Sequence, residues 1–514
     1  MINERTIISG LILLAGLILG PYLIVLTLEV NRVFLLASIC AAALFLVFCF
    51  FGDRIATAPV FCGFLGGTLN FLPFGLTAHE VGCVVLIIYY LITYVALKKR
   101  AISGGPFYFL APIAIIALIV LYQNRQIGLH IFGGAQEGSR PGLLILLACF
   151  TYICGINIPT PPKIFFCRFP WYCFGLTCLA TAPFLLTTYF PASAPYVFQV
   201  TSNVNVAAYV DSPDVVGQNA GGIGRNGSLA GLGGVLEVVL ISYFPINTWW
   251  RPERWFLPIF SLICFGLVLM GGYRNGLVLF SLSFLLGVVC YGPWRLFIIM
   301  PFACFAVLGL EMVQEIQPMG VKLPDKVQRS MSFLPGKWDA DIVANTSTSN
   351  DFRANIQRIY MEEYFHKSPW LGNGFAFDTK EQEQLEKLAD GDDPDHYYEA
   401  KAFIVSKGFH TGWISLYDAV GIVGGVAFVV MEVAMVLVSG LFVFGRNIDR
   451  RSPLFPMKIC TFCGVDQSAF GYFVTFGSFP SEIAGMCGGA IILVHLKKLD
   501  RMEREKGGIA KADS

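Results

Sequence analysis

The sequence predicts an all-α, polytopic membrane protein, and three observations predict it. Of its 514 residues, 55% are hydrophobic and only 14% are charged, with a mean hydropathy of +0.64, where an average soluble domain carries roughly 25% charged residues. Long apolar runs recur along the whole chain, many close to the roughly 20 residues that a helix needs to cross a ~30 Å hydrocarbon layer. Lysine and arginine fall unevenly between the connections. These numbers exclude a soluble globular fold, a disordered chain and a disulfide scaffold. A net charge of +1 gives no clustered basic face for nucleic acid.

In chain order the apolar runs are Ile7 to Leu28, Val33 to Phe51, Ala56 to Leu76, Val81 to Leu97, Phe107 to Tyr122, Gly142 to Ile158 and Trp171 to Phe190. After a polar loop come Leu229 to Ile246, Trp255 to Gly272, Gly276 to Tyr291 and Trp294 to Leu310, and the last three are Trp413 to Phe444, Met457 to Phe476 and Phe479 to Leu496. The expected count is therefore about fourteen (12 to 14). No small-residue cleavage site follows the first run, and many others succeed it, so it reads as a retained span.

Orientation follows from Lys and Arg in the short loops. With a cytoplasmic N-terminus, the inside connections and the tail hold twenty, whereas the outside short loops hold five, Arg32, Arg125, Arg140, Arg225 and Arg274. Both termini then face the cytoplasm. The chain divides into transmembrane helices 1–11 over residues 1–310, a partly helical outer loop domain over 311–410, helices 12–14 over 411–496 and a basic cytoplasmic tail over 497–514. The outer domain is acidic, with 11 Lys and Arg against 17 Asp and Glu. Within it Phe352, Ile356, Ile359, Tyr360 and Tyr364 recur at helical spacing, and Lys380 to Ala389 reads as a polar helix ended near Gly391. All 15 cysteines lie outside this domain, so disulfides are not expected, and the Cys460–Cys463 pair reads as small buried hydrophobes.

Few charges remain for chemistry on the outer face. Arg225 in GIGRNGSLAG, Arg274 in GGYRNG and Arg353 in NDFRANIQ each lie at or near the outer end of a span, as does His410 in KGFHTGW. Arginine presents a permanently charged planar fork matched to phosphate oxygens, so three together can hold a diphosphate; singly, each also reads as an interfacial anchor. His410 is followed by Thr411 and, nine residues on, by Gly421 and Gly424, which let the helix after it pack closely on a neighbour.

These residues resemble the O-antigen ligase and O-antigen polymerase-like family of membrane glycosyltransferases. That family carries a motif of His, then Asn, Ser or Gln, nine residues, Gly, two residues, Gly at the end of its large periplasmic loop. His410, Thr411, Gly421 and Gly424 match it, with Thr411 in place of the amide or serine. Arg353 followed by Ser368, Pro369, Trp370, Leu371, Gly372, Asn373 and Gly374 is similar to the family's loop arginine with its proline and glycine-rich turn. Gly272 to Gly276 is similar to its Ser-Arg-Gly element, and Gly224 to Leu229 more weakly to an earlier one. The resemblance runs from about Gly221 to Gly425.

The resemblance implies a multi-pass protein of the bacterial inner membrane with a periplasmic active site. Its donor would be a glycan on undecaprenyl diphosphate, and its acceptor a hydroxyl of lipid A-core, of another glycan or of a protein. Arg274, Arg353 and Arg225 would clamp the diphosphate and His410 would take the acceptor proton, inverting the anomeric centre with no metal and no cofactor; activity in chelator is the expectation. His396 is the fallback base. Acids inside spans are functional candidates, namely Glu237, Glu432, Asp466 and Glu482, which also read as buried hydrogen-bonded pairs. His79, Glu80 and His130 read as solvated loop residues, and Asp339-Ala340-Asp341 as a solvated loop triplet. A polymerase sharing the donor is the alternative within the class; a lipid-linked glycan transporter is the alternative outside it, disfavoured because the large loop has no counterpart in the first half.

Overall fold

The computed structural model describes residues 51–70, 76–96, 105–124, 136–137, 139–202, 226–249, 251–292, 294, 297, 322–389, 396–409, 411–446, 448–475 and 477–512. Their regular structure is helical apart from one two-residue antiparallel pair. In the first half the helices are α1 (Ala58–Leu65), α2 (Ala78–Tyr90), α3 (Phe107–Asn124), α4 (Ser139–Asn157), α5 (Lys163–Tyr189) and α6 (Ala194–Val200), and α7 (Gly227–Tyr243), α8 (Phe256–Met270) and α9 (Arg274–Cys290) follow. The polar segment adds α10 (Asp325–Met331), α11 (Ala340–Ile359), α12 (Thr379–Ala389) and α13 (Tyr397–Val405) before the closing helices α14 (Gly412–Phe444), α15 (Phe455–Phe470) and α16 (Phe479–Ala512). The strands are β1 (Gln136–Glu137) and β2 (Phe377–Asp378).

Among the described residues six segments are long and apolar enough to cross a membrane: Ala78–Val95, Arg140–Asn157, Lys163–Tyr189, Pro252–Met270, Gly412–Phe444 and Phe479–Glu505; Phe107–Gln123, Gly227–Tyr243 and Arg274–Cys290 are shorter apolar helices. The predicted runs Ile7 to Leu28, Val33 to Phe51 and Trp294 to Leu310 lie, except at isolated positions, outside the described residues. The run Ala56 to Leu76 is not one helix. After a 3-10 turn (Gly52–Thr57), α1 stops at Gly66 and Gly67, with φ of 58° and 65°, a region glycine enters without the Cβ penalty. Eight residues rise only about 12 Å, too short to span.

Local signals explain the other starts. Thr77 and Glu80 form a capping box on α2, the Glu80 N–H donating to the Thr77 hydroxyl (3.2 Å) and the Thr77 N–H to the Glu80 carboxylate (2.5 Å), so two orphan donors of the first turn are satisfied. Asn226 caps α7 by accepting from the Leu229 N–H (3.2 Å). The largest core is built from α2, α3, α4, α5, α14, α15 and α16, and a smaller one from α7, α8 and α9. Between apolar helices in lipid the hydrophobic drive is small and close backbone approach counts. Gly233 of α7 shows it, since a Cβ there would lie 2.5 Å from the Cys264 carbonyl of α8.

One end of the bundle collects the polar connections. Arg140, at the start of α4, donates to Glu80 at the start of α2 (3.0 Å). The Asn226 N–H donates to the Gly271 carbonyl (2.8 Å), which joins the start of α7 to the turn between α8 and α9. Strands β1 and β2 pair the connection before α4 with the polar segment. That segment has its own core, Ile356, Ile359, Tyr360, Ala400, Ile404, Phe409 and Ile414, continuous with the first turn of α14.

Candidate functional site

Arg274 opens α9 directly after Gly272 (φ 74°) and Tyr273, which turn the chain out of α8. Its guanidinium donates to the Asn350 side-chain oxygen (3.2 Å) on α11. Arg353 is one turn further along that helix and half-buried. Helix α11 therefore brings together two arginines that lie far apart in sequence. Arg225 is outside the described residues, but Asn226 beside it is bonded to Gly271, three residues before Arg274.

His410 is also outside the described residues, and both of its neighbours are placed. The Phe409 ring is buried 5.6 Å from the Tyr360 ring. Thr411 forms the N-cap of α14, and the Gly412 carbonyl accepts from the Tyr472 hydroxyl (2.7 Å). The stripe of Phe352 and Ile356 on α11 and Tyr360 just past its end, which packs against this segment, adjoins Arg353. His396 is exposed, sits in the left-handed region (φ 54°) and faces Glu399 (3.0 Å).

Helix α14 is broken at Gly421 (φ 64°, ψ −164°). The turn 369–374 fills the break. The N–H groups of Ile422 and Val423, which lose their helical acceptors, donate to the carbonyls of Pro369 (2.9 Å) and Trp370 (3.1 Å). The released carbonyl of Asp418 accepts from the Asn373 N–H (2.6 Å), and that of Ala419 from the Gln123 side chain (2.8 Å), which also donates to Leu371 (2.5 Å). Non-helical backbone at this depth is tolerable only when its polar groups are met in this way. Gly372 (φ 77°) and Gly421 face each other so closely that a Cβ on either would come within 2.6 Å of the other's backbone. So Gly421 meets a turn, while Gly424, three residues on, lies toward Ile119 of α3.

Asp418, a buried acid that the sequence reading passed over, is the hub of this region. Its carboxylate accepts from Lys407 (2.7 Å), Asn373 (2.8 Å) and the Tyr360 hydroxyl (3.3 Å). Burial, and then the charge of Asp418, push the Tyr360 phenol well above its usual range, which keeps it a donor. The rule that an acid inside an apolar span is costly singles out Asp418 in WISLYDAVG as readily as it did the others.

Of those others, Glu237 is fully buried and accepts from Ser261 (2.9 Å), remote from the arginines' helix. Glu432 lies within electrostatic reach of Glu482 and Asp466, and Glu482 accepts from Ser468 (2.5 Å). Four expectations of solvated loops are corrected or left aside. Glu80 is only 6% exposed because the capping box and Arg140 hold it, and His79 is half-buried with its ring at Pro59 O (3.0 Å) and Cys83. Asp339 opens α11 and exchanges hydrogen bonds with buried Gln328, while His130 lies outside the described residues. Cys460 and Cys463 are free thiols. Among the described residues no three His, Cys, Asp or Glu side chains converge as metal ligands would.

A cleft of about 680 Å³ runs between α1, α5, α7, α9, α14, α15 and α16. Gly227, Tyr273, Asn275 and Gly276, the neighbours of Arg274 and of Arg225, line one end; Met435, Met457 and Ile492 line its apolar depth. Polar groups are sparse, with Glu432, His79, Gln467 and Ser468 facing in. The arrangement, apolar in its depth with a few polar residues at one end, suits an amphipathic ligand.

Residues 259–429, about a third of the chain, match the family model described as O-antigen ligase. The match takes in Arg274, Arg353, position 410, Gly421 and Gly424 and leaves Arg225 outside. No curated protein matches the chain.

Proposed function

We propose, from the match of residues 259–429 to the O-antigen ligase family model, that this chain is a membrane glycosyltransferase that moves a glycan from undecaprenyl diphosphate onto an acceptor hydroxyl at the periplasmic face of the bacterial inner membrane. In this reading both termini are cytoplasmic, and the segment 311–410 is the periplasmic domain. Arg274 and Arg353, with Arg225, hold the diphosphate and stabilise the charge that grows on it as it leaves, each charge-assisted hydrogen bond contributing about 1.5–3 kcal/mol. The lipid tail enters the cleft beside Arg274. His410 removes the proton from the acceptor hydroxyl, whose oxygen attacks the anomeric carbon from the face opposite the diphosphate and inverts it. No metal takes part.

The observation that carries this reading is α11, which reaches Arg274 through Asn350, bears Arg353 on the next turn, and packs its adjoining stripe on Phe409 beside position 410. The test is to express variants in a deletion strain and profile its envelope glycans. His410→Ala is expected to abolish transfer while lipid-linked donor still binds, and Arg353→Ala to weaken donor binding itself. Wild-type transfer by His410→Ala overturns the assignment of the base. In the deletion strain, loss of all polymer from lipid A-core with accumulation of lipid-linked polymer identifies a ligase. A residual single-repeat band identifies a polymerase, and loss of protein glycan a protein-directed transferase.

A further inference from the structure

We propose that Asp418 is a positioning residue, acting through its ion pair with Lys407 to hold the segment around position 410 at a set distance from the helix of Arg353; this rests on the reading of His410 and Arg353 given above. Asp418 is 1% exposed and gathers donors from three parts of the chain. Lys407 lies just before position 410, Tyr360 ends the arginine's helix, and Asn373 belongs to the turn that fills the break in α14. The pair ties together residues 407 and 418, so position 410 lies inside a closed loop. Tyr360 touches this loop through its hydroxyl at Asp418 and through its ring at Phe409 and Tyr417. Ile356, one turn back from Tyr360, packs in the same cluster, and Arg353 is the next residue along that face.

A second observation is independent of the contacts. Lys407 sits just past the end of α13 with φ 60°, one of two non-glycine residues in the described chain with positive φ. That position after a helix is ordinarily filled by glycine, and here Gly408 is one residue late. Strain of this kind persists where the surroundings require the side chain, and what the surroundings supply is the Asp418 carboxylate. A glycine would end the helix with less strain, but without the ammonium it could not close the loop.

Asp418→Ala strands a lysine ammonium and endangers the fold, so the test uses the double variant Lys407→Gly/Asp418→Asn, which removes both charges and the strain together and leaves an amide for Asn373 and Tyr360. Lys407→Arg is the conservative partner. The full chain, purified in lipid nanodiscs, is assayed for kcat, for KM toward undecaprenyl-diphosphate-linked glycan and for melting temperature, with His410→Ala in parallel. The double variant is expected to melt within a few degrees of the parent and to lose at least tenfold in kcat with donor KM within twofold, while Lys407→Arg keeps the parental kcat. Parental kcat in the double variant, or a loss that appears in KM, or a loss matched by Lys407→Arg, overturns the proposal. If His410→Ala keeps parental transfer, the reading of the site fails; if His410→Ala is dead and the double variant is not, only the role of Asp418 fails.

Discussion

Gly421→Ala is the most demanding single change at the break in α14. The native φ of 64° and ψ of −164° lie in a region left almost entirely to glycine, and a side chain there costs about 1–3 kcal/mol. The new Cβ would also stand 2.5 Å from Gly372 N and from the carbonyl carbon and oxygen of Trp370. These are backbone atoms, which cannot swing aside, so the turn 369–374 must withdraw. With it go the hydrogen bonds Ile422 to Pro369, Val423 to Trp370 and Asn373 to Asp418, each about 1 kcal/mol. The expected loss is about 4–6 kcal/mol, at the far end of what single substitutions do. The assay is unfolding of the purified chain in detergent by heat and by denaturant. Gly175→Ala on α5 is the control, since a Cβ there meets nothing within 4 Å and alanine favours a helix by up to about 1 kcal/mol. If Gly421→Ala unfolds within about 1 kcal/mol of the parent, the joint between turn and helix is not what holds this region.

Two further outcomes follow from features elsewhere. Gly231 faces the cleft with open space before it, so Gly231→Leu is expected to raise donor KM about tenfold with little change in melting; an unchanged KM removes the cleft from the path of the lipid tail. In the polar segment, hydrogen bonds first from Lys401 and then from Tyr397 hold Glu363 below its usual carboxylate range, and Lys401 is raised by the same contact. A lowered acid stabilises above its ordinary value, about 4.3, and that contribution is lost as pH falls through the folded value. Lys401→Met should therefore cost about 0.5–1 kcal/mol at pH 7, the scale of a partly exposed pair, and the gap to the parent should close as the pH falls below the ordinary carboxylate value, about 4.3. Melting curves against pH check the slope, and a gap that persists in acid removes the ion pair as its cause.

Hydropathy alone reads helices such as Phe107–Asn124 and Gly412–Phe444, because a run of apolar residues has few other ways to satisfy its backbone in lipid; it reads the last helix only to Leu496, whereas the helix continues through the charged tail to Ala512. It misreads Ala56 to Leu76, where composition outweighed the consecutive glycines 66 and 67 that end the helix. Within the site, Arg274 and Arg353 stand out as charges beside apolar runs, whereas the contact that joins them, Arg274 to Asn350, is tertiary and leaves no trace in spacing. The glycine motif and the Pro369-to-Gly374 turn are each visible in the sequence. Their meeting is not, since it is made by backbone atoms on segments about fifty residues apart. Asp418 is legible as an acid within an apolar run, but its partners Lys407, Asn373 and Tyr360 come together only in the fold, so its place as their hub leaves no trace in spacing.

The joint at Gly421 also bears on how the sequence can drift. Apart from the side chains of Gln123 and of Asn373, which bonds the Asp418 carboxylate, the bonds across it use main-chain donors and acceptors, and the Trp370 side chain is mostly exposed. Most identities along 369–374 are thus free to change while the joint survives, and the restrictions fall on what must be absent, a Cβ at 372 and at 421. Divergent relatives would then keep two glycines and a glutamine-like donor on the third helix long after the words between them have become unrecognisable, which makes those positions better markers of common architecture than any stretch of overall similarity.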